Sequence, residues 1–280
     1  MTNALSSTAL RLSVSTWSLH RTLGSADRYG PEHGLHIPAH TTGSDALPLL
    51  ELPRRLAEFG IHTLEICYFH LPSLEREYLA ELRAALEEAQ VELFSLLIDN
   101  GDITHPVHAE RDTAWISSWI DIAGLLGAKR ARVIAGKAEP TMENIQTSVR
   151  TLRHFAERAE ASNVRLMTEN WYELLSRPEV VHTVFEQLEG HIGLCFDFGN
   201  WSGPTKYEDL AAIARYAESC HTKAHFDAGG VMDTADYLRC LDITRAAGFS
   251  GPYTLIYDGP SADEWAGLAS EREIVTRYLH

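Results

Sequence analysis

Three side chains stand out for their chemistry and their spacing. Glu169, Asp197 and His221 are 28 and 24 residues apart, and each sits in or at the end of a short apolar run. Two carboxylates and an imidazole brought together make an oxygen/oxygen/nitrogen set. Such a set suits a divalent cation, whether Mn, Mg, Co or Zn. Without one, two close carboxylates repel and one is forced to keep a proton. Any one of these residues alone reads as readily as a helix cap or an ion-pair partner. Their regular interval is what argues for a common site.

That interval has a structural meaning. Apolar runs at 12–17, 63–67, 91–98, 131–135, 164–168, 192–196, 220–223 and 253–257 alternate with amphipathic stretches. The latter cover 48–59, 74–90, 109–126, 142–161, 178–188, 207–219 and 234–247, with a last one at 262–278. Short runs buried on both faces suit parallel strands joined by helices. Eight strand–helix units in 280 residues predict a single (β/α)8 TIM barrel over 1–280. Gly60, Gly127 and Gly248 follow helical stretches as C-terminal caps should, and Ser73 with Arg76 and Glu77 marks a helix start. An open doubly wound sheet is the competing reading, but no GxGxxG turn follows an early strand. In a barrel the active residues lie where strands end. About one unit separates Glu169, Asp197 and His221, so they fall on strands five, six and seven.

Composition narrows the partners. The formal charge of −15 opposes nucleic acid and anionic membrane as partners, and no Lys/Arg-rich run offsets it. No apolar run is long enough to span a bilayer, and the first eight residues do not read as a secretory signal. Cys67, Cys195, Cys220 and Cys240 show no CxxC spacing and read as buried free thiols of a cytoplasmic protein. Residues 1–10 are expected to be a flexible N-terminus.

The segments Thr168-Glu169-Asn170, Gly193-Leu194-Cys195-Phe196-Asp197-Phe198-Gly199-Asn200 and His221-Thr222-Lys223 carry a resemblance. With them, the chain resembles the xylose-isomerase-like TIM-barrel superfamily, the sugar phosphate isomerases and epimerases. The resemblance implies a metal bound by Glu169, Asp197 and His221. It also implies a small carbohydrate substrate that chelates the metal, and proton transfer next to its carbonyl. Two departures matter. Family members usually carry a second glutamate in the last strand, where this chain has Ile256. Some ketose epimerases place a substrate-binding histidine where this chain has Asn200. Asp258 shares a face with position 256 but lies about 6–7 Å further along. His225 is the other candidate for the missing group. Two-base epimerisation is thereby put in doubt, and a one-base isomerisation or an elimination remains compatible.

Roles follow as expectations. Glu169 is ligand and general base. Lys223 holds the developing oxyanion or a substrate carboxylate, or else pairs with Glu169 or Asp197. Trp17, His70, Asp99, Asn170, Trp201, His225 and Asp258 are the candidate substrate contacts. His70 ends an aromatic run, and Trp17 and Trp201 fall at or past strand ends, where rings stack on sugars or fill a core. The Gly-, Pro- and His-rich stretch at 20–46 has little periodicity and is expected to form a lid over the barrel mouth. No Gly-rich phosphate cradle is visible.

Three other readings compete. One is an endonuclease of the same superfamily, disfavoured by charge and by too few histidine ligands. Another is a lyase cleaving oxidised glycosides, with a partner subunit completing the site. The third is a barrel that has lost catalysis and serves as a binding protein. A homo-oligomer is compatible with the sequence but not required by it.

Overall fold

The computed structural model describes residues 10–24, 28–38 and 46–280. Eight strands close into one parallel barrel in chain order. They are β1 (Arg11–Ser15), β2 (Thr63–Cys67), β3 (Glu92–Ile98), β4 (Arg130–Val133), β5 (Arg165–Glu169), β6 (Gly193–Asp197), β7 (Ala217–Lys223) and β8 (Pro252–Ile256). Eight helices link and cover them: α1 (Leu52–Glu58), α2 (Arg76–Glu88), α3 (Ala109–Leu126), α4 (Met142–Ala161), α5 (Pro178–Leu188), α6 (Lys206–Ile213), α7 (Thr234–Ala246) and α8 (Glu264–Val275). Among the described residues, no helix is long and apolar enough to cross a membrane.

The alternation of side chains along each strand builds two different interiors. Outward positions such as Val14, Leu64, Ile66, Val133, Leu166, Phe196 and Leu255 pack under the helices in one continuous apolar core. The lumen is mostly polar. Ser13, Ser15, Glu65, Ser95, Arg132, Glu169, Asp197, His221 and Thr254 are all buried. Its apolar filling is a separate small cluster of Phe94, Met167 and Cys195. Below that cluster the N-terminal ends of the strands are tied by charge. Arg11 pairs with Glu92 at 2.6 Å, and Glu218 receives Arg165 at 2.5 Å and Arg130 at 3.3 Å. Arg11 and Arg130 both lie over the Phe94 ring, at 5.4 and 5.5 Å. Among the described residues, these pairs and the Phe94 cluster fill the N-terminal end of the lumen.

Gly60, Gly127 and Gly248 all adopt positive φ just past helix ends, as capping requires. The expected start at Ser73 is displaced. Ser73 Oγ accepts the Glu75 N–H at 3.1 Å, a turn outside the helix, and α2 begins at Arg76. The helix expected over 207–219 stops at Ile213, and β7 begins by Ala217. There a register shift lets both Ala217 and Ser219 pair with β6. That bulge frees Glu218 to meet the two floor arginines. All four cysteines are free and buried. Residues 1–9 of the expected flexible terminus lie outside the described residues, as do 25–27 and 39–45 of the expected lid. The described part of 20–46 holds turns but no α-helix or strand. Its Gly34 carbonyl accepts the Trp115 indole N–H at 2.6 Å.

Candidate active site

Barrel register fixes the positions of the three key residues. Glu169 ends β5 and is paired in register with Cys195 of β6; Asp197 ends β6 and is paired with His221 of β7. All three face the lumen and line one cavity of about 410 Å³. Its other walls are Ser15, Trp17, Cys67, Leu97, Asp99, Arg132, Trp171, Asn200, Lys223 and Ile256.

Two asparagines hold the acidic residues in place, one through the backbone of Asp197 and one through the carboxylate of Glu169. Asn170 Nδ2 donates to the Asp197 carbonyl at 3.0 Å, while its Oδ1 accepts the Asp197 N–H at 2.8 Å. This pair of hydrogen bonds ties the end of β5 to the end of β6. Asn200 Nδ2 donates to Glu169 Oε1 at 2.6 Å. Asp197 Oδ1 accepts the Gly199 N–H at 2.6 Å. Gly199 allows a close approach, because a Cβ there would stand 2.7 Å from the Lys223 side chain and push it aside.

The electrostatics are dominated by buried pairs. Arg132 contacts Asp99 at 2.5 Å and Glu169 Oε2 at 3.0 Å. His221 Nε2 lies 2.7 Å from Glu65 Oε2, and its Nδ1 is 3.6 Å from Asp197 Oδ2. Burial raises the Glu169 pKa, and the Arg132 charge only partly opposes that rise. Burial also pushes at Asp197, but its bond to His221 and the charges of His221 and Lys223 hold its carboxyl below the ordinary value. Desolvation works against protonating His221, yet Cys195, Glu65 and Asp197 together lift its pKa. Lys223 is likewise lifted against burial, by Asp197 and by Asp258, whose carboxylate is 3.0 Å away. Burial pushes the Cys195 thiol up to about 11.

Several buried polar atoms on the cavity wall have no hydrogen-bond partner. They are both oxygens of Asp99, Glu169 Oε2, and Nε and Nη1 of Arg132. The Arg132–Glu169 approach is thus a charge contact without hydrogen-bond alignment. Donors and acceptors alternate around one small space.

The donor set also fits a divalent cation. One oxygen of Glu169, Cys195 Sγ and one nitrogen of His221 lie within 4.8 Å of one another, all buried. Cys195, not the expected Asp197, is the third donor of this group; Asp197 stands beside it, with Oδ2 3.6 Å from His221 Nδ1. The position on the last strand is apolar, with Ile256 facing the cavity. A site with few protein donors leaves coordination positions open for substrate oxygens, as catalytic sites do.

The other expected contacts divide. Trp17, Asp99 and Lys223 line the cavity with the three key residues. Asn170 is fully buried and bonds only to the Asp197 backbone. Asp258 is half exposed and reaches the cavity only through Lys223. His70 does not line it, since its Nδ1 is bonded to Thr16 Oγ1 at 2.9 Å. The Trp201 indole donates to the Leu175 carbonyl at 3.1 Å and fills the core behind β6. His225 lies beyond the end of β7, half exposed, 4.0 Å from Asp236. Arg132 and Glu65 were not singled out from sequence. Each is a charged residue alternating with apolar neighbours inside a strand, and that period-two pattern was the signal for a lumen-facing charge.

The chain matches the xylose isomerase-like TIM barrel family over residues 53–273. No curated protein matches the sequence. Among solved structures, it is similar to a xylose isomerase-like TIM barrel protein from Mycobacterium smegmatis in complex with magnesium. That likeness has 17% identity and a TM-score of 0.68, covering 96% of both chains. It is similar to an L-ribulose 3-epimerase at 16% identity and a TM-score of 0.70, covering 96% of this chain and 94% of that one. It is also similar to the probable 3-DHS dehydratase AsbF from Bacillus anthracis, at 13% identity and a TM-score of 0.69, covering 95% and 98%. At these identities the likenesses speak for the fold.

Proposed function

The chain belongs to the xylose isomerase-like TIM-barrel family, and from that premise we propose that it is an isomerase- or epimerase-type enzyme. It moves a proton next to a carbonyl of a small carbohydrate. The observation that carries this reading is the set of unpartnered polar atoms of Asp99, Arg132 and Glu169 around one cavity. Buried polar atoms left without partners in a folded protein call for an explanation. A polyol is one that fits, since each hydroxyl both donates and accepts. The indoles of Trp17 and Trp171 supply apolar surface for the C–H face of a sugar.

Glu169 is the base. Its raised pKa suits a carboxylate that must take a proton from carbon near neutral pH. Asn200 and Arg132 fix its two oxygens, so the side chain is oriented before substrate arrives. Lys223 is poised to meet negative charge on the substrate, whether on the carbonyl oxygen or on an anionic substituent. Glu169, Asp197 and His221 would hold a divalent cation, which would supply Lewis-acid polarisation of the carbonyl. Asp99 and Arg132 receive the remaining hydroxyls.

Ile256 decides between one base and two. No carboxylate stands on β8 to deliver a proton to the opposite face of the carbon. A single base serves aldose–ketose isomerisation, or elimination of a neighbouring hydroxyl, because both begin with the same deprotonation. The test is solvent exchange. The protein is incubated in D2O with a panel of ketoses and keto sugars, and deuterium incorporation is followed by NMR. Exchange into at least one sugar, lost at least 100-fold in Glu169→Gln, supports the reading. Absence of exchange across the panel, with and without added Mn²⁺, Mg²⁺, Co²⁺ or Zn²⁺, overturns it in favour of a binding protein.

A further inference from the structure

We infer that the cavity mouth is built for a carbohydrate bearing an anionic group, gripped by Arg28 and Lys223 around the indole of Trp17. The inference rests on the carbohydrate reading above and names the substrate class more narrowly.

Trp17 lines the cavity. The Arg28 guanidinium lies 4.3 Å from its ring centroid and 5.7 Å from that of Phe69. The Lys223 ammonium lies 5.9 Å from the same indole. Two cations therefore flank one ring at the entrance of a protein whose formal charge is −15. In such a chain an exposed arginine would ordinarily find a carboxylate. Arg28 has none within ion-pair distance among the described residues, and aromatic faces hold it instead.

Its position is fixed by its neighbour. Tyr29 is buried, and its carbonyl accepts the Asn100 side-chain amide at 3.2 Å and the Tyr68 hydroxyl. The Tyr29 ring packs edge-on against Tyr68, with centroids 5.2 Å apart. The backbone next to Arg28 is thus pinned on the loops after β3 and β2, while among the described residues the guanidinium makes no hydrogen bond. A planar guanidinium held by stacking is preorganised for a carboxylate or a phosphate. Lys223 is the second contact. Its partner Asp258 is half exposed, so that pair is weakly held and can yield to a ligand. Deeper in the cavity the charge of Arg132 is already balanced by Asp99 and Glu169, and that of His221 by Glu65 and Asp197, although hydrogen-bonding capacity remains there for neutral hydroxyls. The rim cations are the ones available. A charged handle bound there would position the reacting carbons below it without taking part in the chemistry.

Calorimetric titration tests this with matched probes. The wild type and Arg28→Gln are each titrated with D-glucose, D-gluconate, D-glucose 6-phosphate and malonate, with thermal melts confirming that the variant is folded. At least one charged sugar is expected to bind wild type at least tenfold tighter than glucose. Arg28→Gln should lower that excess at least fivefold and leave glucose affinity unchanged. The stronger of gluconate and glucose 6-phosphate identifies the handle as carboxylate or phosphate. Equal binding of neutral and charged sugars, or an excess that survives Arg28→Gln, overturns the inference and leaves the carbohydrate reading standing. Malonate binding that depends on Arg28, with no sugar bound, upholds the anion grip and overturns the carbohydrate reading. No binding by any probe overturns both.

Discussion

The Arg132 guanidinium bridges Asp99 and Glu169 inside the barrel, 2.5 Å from one carboxylate and 3.0 Å from the other. One cation thus restrains the candidate base from the adjacent strand β4. Arg132→Met leaves two buried carboxylates facing each other without it. Breaking a buried pair in this way costs about 3–5 kcal/mol, measurable by urea denaturation. The Arg132 charge lowers the Glu169 pKa, so its removal raises it. A base works only when ionised, so the acid limb of the pH–rate profile for deuterium exchange should move to higher pH. An unmoved limb would show that Arg132 does not act on Glu169.

Gly199 and Lys223 make a second sharp test. A methyl group at position 199 would collide with the lysine stem at 2.7 Å. Lysine is flexible and can swing aside, so Gly199→Ala should shift the melting temperature by only a few degrees. Solvent exchange should fall at least tenfold because the ammonium is displaced from the cavity. Full activity in this variant would remove Lys223 from the mechanism.

Ile256 marks where a further donor could be installed. Ile256→Glu should raise Mn²⁺ affinity at least tenfold over wild type, read by calorimetry on apo protein. The gain is expected only if Glu169, Asp197 and His221 converge on the space that position 256 faces. Unchanged affinity would separate Ile256 from that centre.

Glu271 of α8 is fully buried against the Ile256 backbone, with neither oxygen making a full hydrogen bond. Burial lifts its pKa well above the ordinary carboxylate value. The sign of the stability effect follows directly. Above about pH 4.5 the unfolded chain has released this proton and the folded one keeps it, so stability falls as pH rises. The slope is about 1.4 kcal/mol per pH unit until the folded group ionises. Glu271→Gln should remove that slope. Its melting temperature should match wild type near pH 4.5 and exceed it above that pH.

The barrel was legible in the sequence because parallel strands buried on both faces leave short apolar runs, and glycines such as Gly127 mark where helices stop. Three helices, α3, α4 and α5, have the bounds read from periodicity. The helix expected over 207–219 ran too far because Tyr216, Ala217 and Ser219 fit either pattern, and pairing with β6 decided the matter. The strand-end logic also placed Glu169, Asp197, His221, Lys223, Trp17 and Asp99 around one cavity. It said nothing of Arg132 or Glu65, which sit mid-strand where an apolar reading of the run passes over a lone charge. It set Asn170 among the ligand contacts, although its amide is spent on the Asp197 backbone. Long-range pairings such as His221 with Glu65 join strands that are not neighbours, so no local pattern announces them.

The ionic lattice of Arg11, Glu92, Arg130, Arg165 and Glu218 has a kinetic corollary. A vessel filled at its base is entered and left at its mouth. Whatever enters past Trp17 must leave by the same route, so a departing product occupies the approach of the next substrate. Product should therefore compete with substrate for one form of the free enzyme, and inhibition patterns measured in either reaction direction should intersect accordingly.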